Sequence, residues 1–291
     1  MTKARDLANL LDANGDVKSA NLDNVPAGGV AGISSNADAT AITITSDEKI
    51  GIGETSPLGQ LHVKTADSGA SSAATNYDEI VIENSDHAGM SILTGTDKVG
   101  AVRFGDSGDN DIGGLIYNHA DNSFTIKNNA TNNLVIDANG HITKPSQPAV
   151  HAYIDTIQSN ISTGITTVQL NAEIYDVNSD FNPSNYTFTA PVTGKYLVTM
   201  NLVLYDFDNS FQWLYVLGVA SNRNYYLNQI DPRLLSQDGI WSLNASSLVD
   251  MDANDTFQMK VRTSSHGAAQ MDIQSGNASA TETTMTITLL S

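Results

Sequence analysis

A chain of 291 residues has room for about two ordinary domains, and its 14 Lys plus Arg against 32 Asp plus Glu give a formal charge of −18. That balance argues against nucleic acid and anionic membrane as partners, because a phosphate surface is held through clustered Lys and Arg that this sequence lacks. With no cysteine there is no disulfide framework, thiolate zinc site or cysteine nucleophile, and no apolar run approaches the roughly 18 residues of a membrane span, so no membrane insertion is expected.

Met1-Thr2-Lys3-Ala4-Arg5 leads into a polar amphipathic stretch instead of the apolar core of a signal peptide. An outward-facing protein of this kind would leave its cell by lysis. Ala4, Leu7, Ala8 and Leu11 stand at helical spacing and predict a helix over 2–13, with Gly15 as its stop. So short a helix is not stable alone and needs sister chains or a docking partner. Asp12, Asn14 and Asp16 have the spacing that opens a calcium loop, but Val17 stands where the obligatory glycine belongs and Asp23 replaces the closing glutamate. Residues 18–41 are rich in Gly, Ala, Ser and Asn and read as a linker, so 1–41 forms an N-terminal helix and linker.

From 42 to 145 the pattern is one of very short strands: Ile42/Ile44, Ile50/Ile52, Leu61/Val63, Ile80/Ile82, Met90/Ile92, Val102/Phe104, Phe124/Ile126 and Leu134/Ile136. Each offers two apolar side chains between turns rich in Asp, Asn and Gly. Two such residues, each contributing about 1.5–3 kcal/mol when fully buried, hardly offset about 1–2 kcal/mol of backbone entropy per ordered residue. Intertwining three chains about an axis turns each pair into a shared layer and removes exposed strand edges. A β-rich, intertwined trimeric shaft is expected here. Asp106, Asp109 and Asp111 have oxygen ligands that suit calcium, but Asp and Asn are also the ordinary residues of turns.

Lys144-Pro-Ser-Gln-Pro148 reads as the junction to a C-terminal domain at 146–291. In it Tyr196, Val198, Met200, Leu202 and Leu204 alternate with Leu197, Thr199, Asn201, Val203 and Tyr205, the period of a long strand in the middle of a sandwich. Pro191 and Gly194 place a corner before it. Phe211-Gln-Trp-Leu-Tyr-Val-Leu217 alternates two apolar faces, both of which read as buried. Asn222–Asn228 and the segment from Asp231 to Trp241 read as turn-rich, carrying exposed aromatics.

The order Phe181, Tyr186-Thr187-Phe188, Pro191, Gly194, Tyr196, together with Ala245-Ser-Ser-Leu-Val-Asp-Met-Asp-Ala-Asn-Asp-Thr-Phe-Gln-Met-Lys-Val261, resembles the globular head of complement proteins, a jelly roll shared with the tumour-necrosis-factor family. The resemblance covers 146–291 and departs at the last strand, where Thr283-Thr-Met-Thr-Ile-Thr-Leu-Leu290 replaces an aromatic-rich one. It implies a trimeric, ligand-binding head. Lys49-Ile-Gly-Ile-Gly-Glu-Thr-Ser-Pro57, Leu61-His-Val63, Val102-Arg-Phe-Gly-Asp-Ser-Gly-Asp-Asn-Asp-Ile-Gly-Gly114 and Asn133-Leu-Val-Ile-Asp-Ala-Asn-Gly-His-Ile142 resemble bacteriophage tail fibres, those of marine phages above all. The opening Met1-Thr-Lys-Ala-Arg-Asp-Leu-Ala-Asn-Leu10 is similar to such virion proteins. The self-cleaving domain that follows in many of those fibres has no counterpart here.

Chemistry-bearing motifs are missing. His62, His87, His119, His141, His151 and His266 are scattered without ligand spacing, Asp206/Asp208 and Asp250/Asp252 lie in no glycosidase context, and Gly113-Gly114 lacks the Lys-Ser/Thr of a phosphate loop. No enzyme and no resident cofactor are expected, although Asp250, Asp252 and Asp255 are candidate calcium ligands, as related heads bind calcium near their axis. The expected fold is mainly β: a short N-terminal helix, a trimeric fibrous shaft and a jelly-roll head. Such a chain serves as a virion tail fibre, anchored to a tail or baseplate protein through its N-terminal segment and, outside the lysed cell, holding a host surface glycan or protein with its head. Asn222, Arg223, Asn224, Tyr225, Tyr226 and Trp241 are the candidate receptor-binding residues, since aromatic faces stack on sugars while amide and guanidinium groups bond hydroxyls. A capsid decoration without a receptor is the alternative, and a polysaccharide-cleaving tailspike a more distant one.

Overall fold

The computed structural model describes residues 41–208, 210–235, 239–264 and 269–291. The helix at 2–13, the loop at Asp12, Asn14 and Asp16, His266 and, but for Ala41, the linker at 18–41 lie outside the described residues. Every regular element described is a strand except one 3-10 turn at Pro232–Leu234, so the mainly β expectation holds. The backbone divides into two compact units between Ser91 and Ile92.

The first unit carries one small sheet of β1 (Ile42–Ile44), β2 (Ile50–Ile52), β3 (Leu61–Lys64) and β4 (Ile80–Glu83), in that order. β1 and β2 are antiparallel, and β2, β3 and β4 are parallel. The register sets Ile42 opposite Ile52 and Ile44 opposite Ile50, then Ile50, Leu61 and Ile80 in one row and Ile52, Val63 and Ile82 in another. Alternation along each strand therefore puts eight aliphatic side chains on one face. Six of them, all isoleucines, are exposed. The opposite face holds Gly51, His62, Lys64 and Glu83. Gly51 is needed there, since a Cβ would stand 2.0 Å from the Glu54 carbonyl oxygen where the next loop folds beneath the strand. Met90 and Ile92, expected in a strand, lie outside any strand: the segment has no neighbouring ladder to join.

In the second unit β5 (Val99–Phe104), β6 (Gly113–Asn118), β7 (Ser123–Asn128), β8 (Thr131–Ile136) and β9 (Ile142–Thr143) form an antiparallel meander in chain order. Asn129 and Ala130 both have positive φ, 50° and 58°, the conformation of a tight two-residue hairpin turn.

The sandwich follows. Its strands are β10 (Ala149–Tyr153), β11 (Gln158–Ile161), β12 (Gly164–Thr167), β13 (Ala172–Asp176), β14 (Phe181–Asn182), β15 (Thr187–Thr189), β16 (Gly194–Tyr205), β17 (Leu214–Ala220), β18 (Asn224–Ile230), β19 (Trp241–Met251), β20 (Thr256–Thr263), β21 (Met271–Ile273) and β22 (Thr284–Leu289). One sheet runs β13-β10-β22-β16-β19, with β21 pairing the end of β16 and β11 pairing β21; the other runs β14-β15-β20-β17-β18, with β12 also pairing β20. The chain crosses repeatedly between the two antiparallel sheets, in jelly-roll order. Tyr196, Val198, Met200, Leu202 and Leu204 of β16 are fully buried against Val216, Phe257, Met259 and Val261 of the second sheet. Gly218 leaves room for the Phe257 ring against β17, because a Cβ there would meet that ring at 2.6 Å. The Tyr196 hydroxyl donates to the Val192 carbonyl at 2.7 Å, which closes the corner that Pro191 and Gly194 mark.

The turn-rich reading of Asn222–Asn228 is corrected, because Asn224–Ile230 is strand β18 paired along β17. Tyr225, Leu227 and Ile230 pack inward, and the register slips between Tyr215/Val216, where Asn228 is an extra residue. The bulge shifts the alternation by one residue and hides the period of two.

Candidate binding surfaces

The residues proposed for receptor contact do not form one exposed group. Asn222 lies in the turn between β17 and β18, where its amide donates to the Asp250 carbonyl (3.2 Å) and to Asp255 Oδ2 (3.0 Å), tying two turns together. Arg223 completes that turn through its backbone and is exposed, as is Asn224. Tyr225 and Trp241 are half-buried and pack on the sandwich core, whereas Tyr226 is 49% exposed on the outer face. These aromatics were expected outside strands, yet Tyr225 and Tyr226 belong to β18 and Trp241 opens β19.

Asp250, Asp252 and Asp255 sit around the β19–β20 turn but serve separate partners. Asp250 Oδ1 lies 3.3 Å from Lys195 Nζ, both exposed. Asp252 Oδ1 accepts from Thr193 at 3.5 Å. Asp255 accepts from the Ser221 hydroxyl at 2.6 Å and the Asp252 amide at 3.0 Å, bonds that hold its carboxyl below the usual range, Ser221 contributing most. In the meander Asp106 Oδ1 caps the Gly108 and Asp109 amides, Asp109 caps Asp111, and Asp111 bridges Arg103 and Lys127. Those carboxylates are spent on turns and ion pairs.

Among the described residues, ligand atoms gather within 4.8 Å only at Glu54, His62 and Glu83, beneath the first sheet. His62 is fully buried, its Nδ1 accepts the Leu58 amide (3.2 Å), and its Nε2 faces Glu83 Oε2 at 2.9 Å without good hydrogen-bond geometry on either atom. Glu83 also accepts the Ser68 amide (2.7 Å) and hydroxyl (2.9 Å). The Lys64 ammonium already pairs both carboxylates, 2.8 Å from Glu54 and 3.6 Å from Glu83. This is an internally compensated charge cluster.

A second group of aromatics stands on the outer face of the sandwich's second sheet. Trp213 precedes β17 and meets Tyr215 edge-on with centroids 5.3 Å apart; Tyr215 meets Tyr226 in the same way at 5.8 Å. Arg262 of β20 lies over both ends of this row, its guanidinium carbon 5.3 Å from the Trp213 centroid and 5.5 Å from that of Tyr226. It also donates to the Tyr226 hydroxyl at 3.1 Å. Leu217, on the same outer face between Tyr226 and Lys260 in the register, is covered to 1% exposure, so these side chains form a layer of their own. The sequence pattern reads both faces of Phe211–Leu217, Trp213 and Tyr215 included, as buried, and does not single out Arg262. The available signal was the alternation Gln258, Lys260, Arg262 against Phe257, Met259, Val261 in β20.

The outer face of the first sheet is of another kind. Rows of Tyr175, His151, Thr286, Thr199 and Ser246, and of Ala149, Thr288, Leu197 and Leu248, cross it without a carboxylate or ammonium. Burial holds the His151 imidazole below its ordinary value of 6.5.

Strand order and core together define an antiparallel jelly-roll sandwich. Solved structures similar to this chain include the globular domain of a zebrafish complement 1qA protein (14% identity, 50% of this chain and 98% of that one, TM-score 0.38), murine APRIL (12%, 50% and 99%, 0.36) and the Eiger TNF of S. frugiperda (12%, 50% and 94%, 0.37). No family profile and no curated protein matches the chain.

Proposed function

We propose that this chain is a homotrimeric virion fibre, of the phage tail-fibre kind that its sequence resembles, which attaches the particle to a host cell surface through its C-terminal head. The observation that carries the reading is the aliphatic face of β1–β4. Six isoleucines there lie open to water in the single chain, an arrangement a soluble protein adopts where copies of itself cover the face. Three such sheets set around an axis, apolar faces inward, close into a prism with a dry core. The two uncharged rows across the outer face of the sandwich's first sheet, bordered by the mutually paired Lys195 and Asp250, support self-association too, because like chains at −18 repel wherever their carboxylates meet. Anchoring to a tail or baseplate protein through the N-terminal segment and binding of a host glycan or protein by the head complete the proposal, which assigns no catalysis. Light scattering of the purified chain is expected to give three times the monomer mass at micromolar concentration, and immunogold labelling to place it on projecting fibres of the particle. A monomer, or label confined to the capsid surface, would overturn the reading.

A further inference from the structure

The outer face of the second sheet, half-buried at Trp213, Tyr215, Lys260 and Arg262 and exposed at Tyr226, carries a pairing of rings and cations that the sandwich core does not use. We infer that Trp213, Tyr215, Tyr226, Lys260 and Arg262 form a binding platform for an acidic saccharide, one whose pyranose ring bears a carboxylate. The inference deepens the adhesive reading of the head, and rests on it, by naming the class of glycan held.

Charge complementarity selects the occupant. The chain carries 32 acidic residues against 14 basic ones, yet on this face Lys260 and Arg262, two residues apart on β20 and so roughly 7 Å apart on one side of it, have no carboxylate partner among the described residues. Val261 between them is fully buried, which fixes both side chains outward. Arg262 is also organised in advance. Stacking over Trp213 and Tyr226 and the bond to the Tyr226 hydroxyl hold its guanidinium in one place, so little side-chain freedom is lost when its remaining donors take up a ligand. A guanidinium fork meets a carboxylate through two parallel bonds, and Lys260 adds a second positive charge beside it. The Tyr226 ring surface that stays in water suits the apolar C–H face of a sugar ring, which an inorganic anion or a bare acidic peptide lacks. Repulsion from the rest of the acidic chain does not forbid this, since at physiological salt it is screened beyond about 8 Å.

Calorimetric titration of the full-length chain with trigalacturonic acid tests the assignment, with the carboxyl-reduced trisaccharide, hexaglutamate and inorganic phosphate as comparison probes. Trigalacturonic acid is expected to bind, to weaken as salt is raised, and to bind more tightly than all three. Arg262→Gln should weaken it about tenfold or more, the loss of a charge-assisted pair. Arg262→Lys should restore only part of that, having charge without the fork. Tyr226→Phe, which keeps the ring and frees the guanidinium, should fall between the parent and Arg262→Gln. Lys260→Gln leaves the stacked rings and the Arg262 guanidinium in place, so its folding is independent of their contacts, and it too should weaken binding. Equal affinity for the reduced sugar, for hexaglutamate or for phosphate, or unchanged affinity in the folded Arg262→Gln and Lys260→Gln variants, would overturn the inference. Cell binding separates it from the adhesive reading. Undiminished attachment of the Arg262→Gln chain to host cells sinks the platform and leaves adhesion standing, whereas a parent chain that binds the sugar and no cell does the reverse.

Discussion

Beneath the first sheet a fully buried imidazole, a nearly buried carboxylate and an ammonium lie within reach of one another, on the side where a solvent-facing surface would be expected to be simplest. Glu83 is held below its ordinary carboxyl value, first by the Ser68 amide and then by the Ser68 hydroxyl and Lys64. Glu54 is lowered chiefly by Lys64, and Lys64 is raised chiefly by Glu54. A carboxyl whose folded value is depressed stabilises the fold above its unfolded value, here 4.5, and loses that contribution as pH falls through the folded value. The β1–β4 unit is therefore expected to open in acid below pH 4.5 while the sandwich, whose core holds no ion pair among the described residues, remains closed. Amide exchange followed strand by strand as the pH is lowered checks this. Glu83→Gln should weaken β3 and β4 at neutral pH and flatten their acid response, and an acid profile identical to the parent's would show that Glu83 does not set it. At this scale the sequence was least informative. His62 and Glu83 stand 21 positions apart in strands of a few residues each, and only parallel pairing of β3 with β4 brings them together. Arg262 was equally hidden, because its aromatic partners lie far off in the sequence, Trp213 just before β17 and Tyr226 in β18.

Elements were far more legible, and their failures have local causes. Alternation located β16 to within a residue or two and separated its two faces correctly, since a central strand covered by a second sheet must keep strict period two. It also found both residues of every short pair except Met90/Ile92, which has the apolar letters of a strand and no ladder to enter. β18 escaped because the Asn228 bulge moved Ile230 off the expected parity and its Asn and Tyr content resembled a turn. Long strands also make the energetic prediction at this scale plain. Leu202 is fully buried in β16, so Leu202→Ala should destabilise the sandwich by about 2–5 kcal/mol through lost burial and the cavity left behind, measurable by urea denaturation. Ile52, half-exposed on the aliphatic face of the first sheet, should behave differently. Ile52→Asn is expected to leave the isolated sandwich untouched and to weaken assembly of the chains, each covered isoleucine contributing about 1.5–3 kcal/mol. Chain association unaffected by Ile52→Asn together with Ile44→Asn would mean that face is not where copies meet.

The molecule as a whole is unevenly consolidated, and that governs how it should assemble. Its large fully buried side chains, from Ile154 through Tyr196 to Phe257, all lie in the sandwich. The small sheet of the first unit and the β5–β9 meander instead leave Ile80, Phe104, Leu115 and Ile142 exposed. A sheet with an uncovered apolar face gains little from folding alone, because the backbone entropy it gives up is offset only when other copies arrive. The sandwich needs no such help, so it should fold first in each chain, meet its sisters through the uncharged rows that cross β10, β22, β16 and β19, and bring the remaining strands to high local concentration in register. Raising salt should favour this step by screening repulsion between chains of net charge −18. The expectation is that residues 146–291 expressed alone give a soluble trimer, that Leu197→Asp with Leu248→Asp in the same fragment gives a folded monomer, and that residues 1–145 alone aggregate or stay unfolded. Light scattering and circular dichroism on the three fragments decide it. A soluble, β-rich trimer of residues 1–145 would show that the thin strands register themselves and that the sandwich is only their passenger.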